Sequence, residues 1–296
     1  MKKYIFIFMK QKLTLVILGI IAILSSAVGI VGTYLSGMFI DTLIESTYVQ
    51  ELFRVSIYLL SVFMLGIILR FIVGYLYGPA KERIVYTFKK HILYQKKENL
   101  DVEFSYLSKR VDEDTRQFIG FVLDNYTSVV ISTVELFVVG YLMFSINFHI
   151  GLVSLIICPI YFVLYRIFRK PIYNKSLDLR EGSTRFFQNY ADNLNIPSKE
   201  HELDNMFQAY YKKFKSYVFI NITMNSSQSI FVSLMQVLIF IIGGAGVIRG
   251  VTTVGMLSIL MTYFNQMLGN ISYFMELAKK YQVTRASVHR IDELLT

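Results

Sequence analysis

Six long apolar stretches divide this chain: Leu13–Ile40, Val55–Leu69, Leu136–Phe148, Ile150–Tyr165, Val218–Ile248 and Gly250–Met275. A helix rising 1.5 Å per residue needs about 20 apolar residues to cross a hydrocarbon core of roughly 30 Å, and each stretch meets or approaches that length. The third does so when it starts near Thr127, which puts Glu135 inside the span. The expected fold is an all-α membrane protein with six transmembrane helices. Hydrophobic residues at 54% and charged residues at 17% agree with that class and not with a soluble domain. An even number of crossings places both termini on one side.

The formal net charge of +9 admits a nucleic-acid binder as well, so the positions of the basic residues decide. Lys2, Lys3, Lys10 and Lys12 precede the first span, dense sets run from Lys81 to Arg116 and from Arg166 to Lys215, and Lys279, Lys280, Arg285 and Arg290 follow the last. The alternate short loops hold only Arg54 and Arg249. By the positive-inside rule the termini and both long loops are cytoplasmic in a multi-pass cell-membrane protein, and no nucleic acid partner is expected.

The start of the chain also resembles a secretory signal with small residues at Ser25-Ser26-Ala27. Its apolar run is too long for a signal core and continues past those residues to Ile40, which favours an uncleaved first span. Residues 1–12 then read as an interfacial elbow helix offering Lys to headgroups and Tyr4, Phe6 and Phe8 to the acyl boundary. A lone Cys158 excludes an internal disulfide.

Spans two and three, and spans four and five, are separated by long segments rich in Lys, Glu, Gln, Leu and Tyr and poor in Gly and Pro. That composition favours helix, so the spans should continue as cytoplasmic projections over about 79–127 and 166–217. Reversals are expected near Asp101–Arg110 and near Asn193–Ser198, where Pro197 interrupts the helix. Such charged runs usually form solvated surfaces. Two matched projections on one face suggest instead a docking platform.

Spaced landmarks resemble the membrane domains of ATP-binding-cassette (ABC) exporters of the six-helix half-transporter type. Gly37-Met38-Phe39-Ile40-Asp41 resembles the family's pattern at the outer end of the first span. Phe104, Ser108, Arg110 and Asp114 are similar to its residues around the first coupling helix, and Thr253-Val254-Gly255-Met256-Leu257 to its entry into the sixth span. Arg290-Ile291-Asp292-Glu293-Leu294-Leu295 resembles the signature that ends the membrane domain. The proline many members carry before Gly37 is absent, and Asp192, Leu194, Ile196 and Lys199 fit the second coupling helix only loosely.

The resemblance implies a domain over 13–285, with 286–296 starting a linker to a nucleotide-binding domain. It implies coupling to that ATPase domain through Phe104, Ser108, Arg110, Asp114, Asn193, Ile196, Lys199 and Glu202. It also implies pairing of two membrane halves, as a homo- or heterodimer in the bilayer, with spans four and five crossing to the other subunit. No Gly here is followed by Lys, so the phosphate-holding loop of an ATPase is missing. ATP and Mg²⁺ are expected in a fused or separate ATPase domain, and no cofactor, catalytic residue or metal site in this chain. The four histidines are scattered, without a zinc-binding pair. The implied function is export of a peptide, lipid or hydrophobic compound by alternating access. The alternative is a non-transporting regulatory or receptor-like subunit of the same fold.

An exporter needs a polar face along its path, because cavity-facing polar groups are tolerated where lipid-facing ones are costly. Asn221, Asn225, Ser229, Ser233 and Gln236 recur at helical spacing in span five, and span six adds Thr262, Gln266, Asn270, Tyr273 and Glu276. Cavity lining and helix-to-helix bonding are the two readings of this set. The small residues Ser25, Ser26, Gly29, Gly32, Ser36 and Gly37 read as close-packing positions. Arg70 and Glu135 should lie at similar depth in antiparallel spans, so an intramembrane ion pair is expected, with selection of substrate charge as the alternative.

Overall fold

Hydrocarbon offers no partner to a backbone N–H or C=O, so apolar stretches of this length fold as helices, which satisfy both internally. The computed structural model describes Phe8 and residues 11–45, 48–95, 104–193 and 200–295. Among the described residues six helices follow one another: α1 (Lys12–Glu45), α2 (Val49–Gln95), α3 (Phe104–Ile146), α4 (Phe148–Asn193), α5 (Glu200–Ile248) and α6 (Val254–Leu295). No strand occurs among the described residues. Helices α2 to α6 contain 42 to 49 residues, or roughly 60–70 Å, about twice the hydrocarbon thickness. The spans therefore run on as polar extensions without a break.

Among the described residues five helices, α1 to α5, are long and apolar enough to cross a membrane. Helix α6, expected as the sixth crossing, falls short of that apolar character because Asn265, Gln266, Asn270 and Glu276 interrupt it. The reversal expected over Asp101–Arg110 is also narrower, since α3 is helical from Phe104. The second, at Asn193–Ser198, begins where α4 ends, and residues 194–199 with Pro197 lie outside the described residues, as do Tyr4 and Phe6. Phe8, expected at the acyl boundary, is half-buried, and its ring meets Phe118 edge-on at 6.2 Å.

Helix ends follow local chemistry. Asn147 alone separates α3 from α4, and its Oδ1 accepts from Ile150 N at 3.2 Å, capping α4. Gly250 ends α5 with φ 70°, a left-handed conformation that glycine adopts without strain. There Val251 N donates to Gly246 O at 2.9 Å and Gly250 N to Val247 O at 3.0 Å, the paired bonds of a Schellman stop.

The chain forms two compact units, Met1–Gly151 with Ile242–Thr296, and Leu152–Ile241. In the first, α6 packs along α3 and α1, and α2 packs on α1 and α3. At the end where α2 leads toward α3, Ile84, Val85, Phe88, Ile92, Phe118, Ile119, Leu123 and Val288 form a buried core. The polar extension is thus a packed structure and not a solvated surface alone. In the second unit, Phe186, Phe207, Tyr210, Tyr211 and Phe214 form a chain of ring contacts between the extensions of α4 and α5.

Candidate functional site

Helix α6 binds its neighbours through a row of polar side chains. Its start is clasped to the end of α1: Asp41 Oδ2 accepts from the Thr253 hydroxyl and Oδ1 from Gly255 N, both at 2.6 Å. Thr253 Oγ1 in turn accepts from Met256 N at 3.1 Å. The carboxylate thus satisfies donors at a helix N-terminus, where negative charge is favoured. The approach is close enough that a Cβ on Gly37 would meet Ile259 and the Gly255 carbonyl. Two landmarks more than two hundred residues apart in sequence therefore form one joint.

Further along α6, the fully buried Tyr263 donates its hydroxyl to Ile30 O at 3.1 Å, and Gln266 Nε2 donates to Thr33 Oγ1 at 3.0 Å. Asn270 Nδ2 donates to Glu135 Oε2 at 2.9 Å, and the Tyr273 hydroxyl reaches Asn125 O at 3.2 Å and Oδ1 at 3.1 Å. Gln266, Asn270 and Tyr273 are accordingly ties between helices. Glu276 pairs instead with Lys280 of its own helix at 3.1 Å.

Between α1, α2, α3 and α6 lies a cavity of about 550 Å³. Ser25, Ser26, Gly29, Gly32, Thr33 and Ser36 supply one wall, and Arg70, Glu135 and Thr262 stand on the others. The small residues of α1 thus divide by role. Gly37 permits close packing, as does Gly19, where a Cβ would come within 2.7 Å of the Tyr126 hydroxyl. Gly29 meets nothing within 4 Å and opens on the cavity. By residue type the whole set reads as packing positions, and only the absence of a neighbour separates the two groups. Ser26 is 2% exposed, and its hydroxyl, like that of Ser25, has no hydrogen-bond partner.

The expected ion pair between Arg70 and Glu135 is not formed. Glu135 is turned toward α6, where Asn270 holds it, while Arg70 Nε donates at 3.3 Å to Gly66 O one turn back in α2. Both charges remain on the cavity wall. A second, smaller cavity of about 400 Å³ takes in Asp124, Asn125, Ser128, Tyr273 and Lys280. Both cavities are built from the first unit.

The polar face of α5 belongs to the second unit. Asn221 Nδ2 donates to Tyr217 O at 3.1 Å and Ser229 Oγ to Asn225 O at 3.0 Å, each within the helix. Asn225, Ser229 and Ser233 are exposed and Gln236 is half-buried.

Of the residues expected to couple to an ATPase domain, Asp114 is buried at 4% exposure in the first turns of α3. Phe104, Ser108 and Arg110 lie on the same helix, and their side chains are outside the described residues, as is that of Asn193 at the end of α4. Ile196 and Lys199 lie outside the described residues altogether, and Glu202 is exposed on α5. Beside Asp114, ion pairs fasten α2 to α3: Lys89 to Asp112 at 2.8 Å, Arg116 to Glu82 at 2.7 Å, and Lys81 to Asp124 at 2.9 Å. The Lys89 ammonium, with smaller help from Arg116 and against some desolvation, holds the Asp112 carboxyl below its ordinary value.

Long apolar helices around a cavity with polar groups on its wall define an all-α transport-type membrane domain. The chain belongs to the family described as the ABC transporter transmembrane region, whose model matches residues 15–181 and 198–271. The break at 182–197 falls where the second coupling pattern fits most loosely, and the Arg290–Leu295 segment lies beyond the match. No curated protein matches the chain.

Proposed function

We propose that this membrane part of an ABC transporter is the membrane-spanning half of an exporter, moving an amphipathic peptide, lipid or hydrophobic compound out of the cytoplasm by alternating access. The observation that carries the reading is the cavity among α1, α2, α3 and α6, with two charged side chains on its wall and the buried, unpartnered hydroxyls of two of its lining serines. A membrane protein leaves such groups unpaired at a cost, and a translocation path is where that cost has a use.

On this reading the termini and both helical reversals are cytoplasmic, and Phe104, Ser108, Arg110 and Asp114 shape the first docking element. Residues from Asn193 to Glu202 shape the second. ATP and Mg²⁺ are held by the ATPase domain, and its closure must favour one packing of the bundle by several kcal/mol to shift the population decisively. A second membrane half completes the path.

The test is the intact mass of the native polypeptide from its membrane, together with whatever copurifies. A mass well above 34.3 kDa that includes an ATPase domain, or a mass near it with an ATP-binding companion, supports the proposal. A chain of that mass with no ATPase in the complex favours a regulatory subunit and contradicts it.

A further inference from the structure

The cavity among α1, α2, α3 and α6 presents one charge of each sign, and neither neutralises the other. Arg70 spends one N–H on the Gly66 carbonyl at 3.3 Å, and among the described residues no group accepts from its terminal nitrogens. Glu135 is held through Oε2 by the neutral amide of Asn270, which orients the carboxylate without compensating its charge. Charges at membrane depth are strongly unfavourable unless paired or solvated. Both stand on the wall of one cavity of about 550 Å³, within the range of small-molecule sites.

Two further features point to an occupant. Ser26 is 2% exposed, yet its hydroxyl has no partner, and the Ser25 hydroxyl beside it is buried in the same state. A helical serine normally returns its proton to the carbonyl four residues back, as Ser36 does to Gly32 O at 2.8 Å on this same helix. The other walls include the apolar Val62 and Phe63 of α2. A singly charged molecule would satisfy Arg70 or Glu135 and leave the other bare. A hydrocarbon would satisfy neither.

From this arrangement we infer that the cavity binds a zwitterionic amphiphile. Its anionic group lies against Arg70, its cationic group against Glu135, the compact head within reach of Ser25 and Ser26, and an apolar part on Val62 and Phe63. The inference rests on the transport reading for its biological use, though not for its chemistry. Such a head can arrive on a membrane phospholipid or on a hydrophobic peptide with free termini.

The test uses the complete transporter in nanodiscs, with binding followed by native mass spectrometry and by displacement. The probes are lysophosphatidylethanolamine, a hydrophobic tripeptide with free termini, and an alkyl sulfate and an alkylammonium of matched chain length. The expected result is that at least one zwitterion binds about tenfold or more tightly than either singly charged probe. Arg70→Gln should lower zwitterion and sulfate binding and spare alkylammonium, and Glu135→Gln should do the converse. Ser26→Ala, the substitution least able to disturb folding, should weaken zwitterions several-fold, with melting curves confirming intact protein. Preference for the lysophospholipid identifies the bilayer as source, and preference for the tripeptide a soluble cargo.

Equal binding of all four probes, or zwitterion binding that survives all three substitutions, overturns the inference. A zwitterion that binds as expected but is not moved by ATP leaves the site standing and removes the transport reading. ATP-driven flux with no charge preference does the reverse.

Discussion

Helices α5 and α6 carry polar residues at similar helical spacing and use them differently. On α5, Asn221, Thr223, Ser227 and Ser229 all donate to the carbonyl four residues back. Thr253, at the entry to α6, and Tyr263, Gln266, Asn270 and Tyr273 on it reach acceptors on α1 or α3. A short polar side chain in an apolar solvent bonds its own helix by default. A cross-helix bond forms only where a neighbour brings an acceptor to about 3 Å. Helix α6 is therefore fixed in place by what its side chains touch, whereas these four side chains of α5 bond only their own helix. The same contrast explains why α6 lacks an apolar run like those of the other five: its polar groups are spent on protein.

The contrast can be broken most sharply at the close approach of α6 to α1. Gly255→Ala places a methyl against the Gly37 backbone carbonyl, which cannot withdraw, and against the Asp41 carboxylate, which can do so only by giving up its hydrogen bonds, and should cost about 3 kcal/mol in a melting experiment in detergent or nanodiscs. Gly244→Ala in α5, where nothing lies within 4 Å, should change stability little and in the favourable direction. Equal losses at the two positions would erase the distinction.

Next in size is Asp41→Ala, which strands the Thr253 hydroxyl and Gly255 N and should cost about 2 kcal/mol. Asn225→Ala on the exposed face of α5 should fall within about 0.5 kcal/mol of the parent. Tyr273→Phe removes the tie to Asn125 and should cost about 1 kcal/mol, whereas Ser229→Ala should be nearly silent.

The smallest effect is a pH dependence at Asp112. Its folded-state carboxyl titrates below the ordinary 3.8, so its contribution is fully present above that value and is lost as pH falls further. The group is a third exposed, which limits the effect to under about 1 kcal/mol. Asp112→Asn should lower stability near neutrality by under about 1 kcal/mol and flatten the curve below pH 4, where the parent loses the same contribution. A parent curve with no slope there would contradict the assigned pairing.

Much of the fold was legible because it depends on solvent and period. Runs such as Leu13–Ile40 mark helices wherever the solvent is lipid, and helix-favouring composition carries them through the charged segments. What the sequence could not supply was the neighbour. Period shows that Asn221 and Asn225 share a face, and Gln266 and Asn270 likewise, but not that only the second pair finds acceptors on other helices. Gly29 and Gly37 look alike as letters, yet one opens on a cavity and the other abuts a backbone carbonyl. Depth placed Arg70 and Glu135 on a common wall, while their rotamers, set by Gly66 and Asn270, keep them apart.

The most direct measurement is ATP-driven flux of an amphipathic probe into vesicles holding the purified complex, with ATP hydrolysis followed in the same sample. Movement should require ATP, and hydrolysis should continue without movement when Arg110 or Asp114 is replaced by alanine. Hydrolysis with no flux in the parent complex, or coupling unchanged by either substitution, would contradict it.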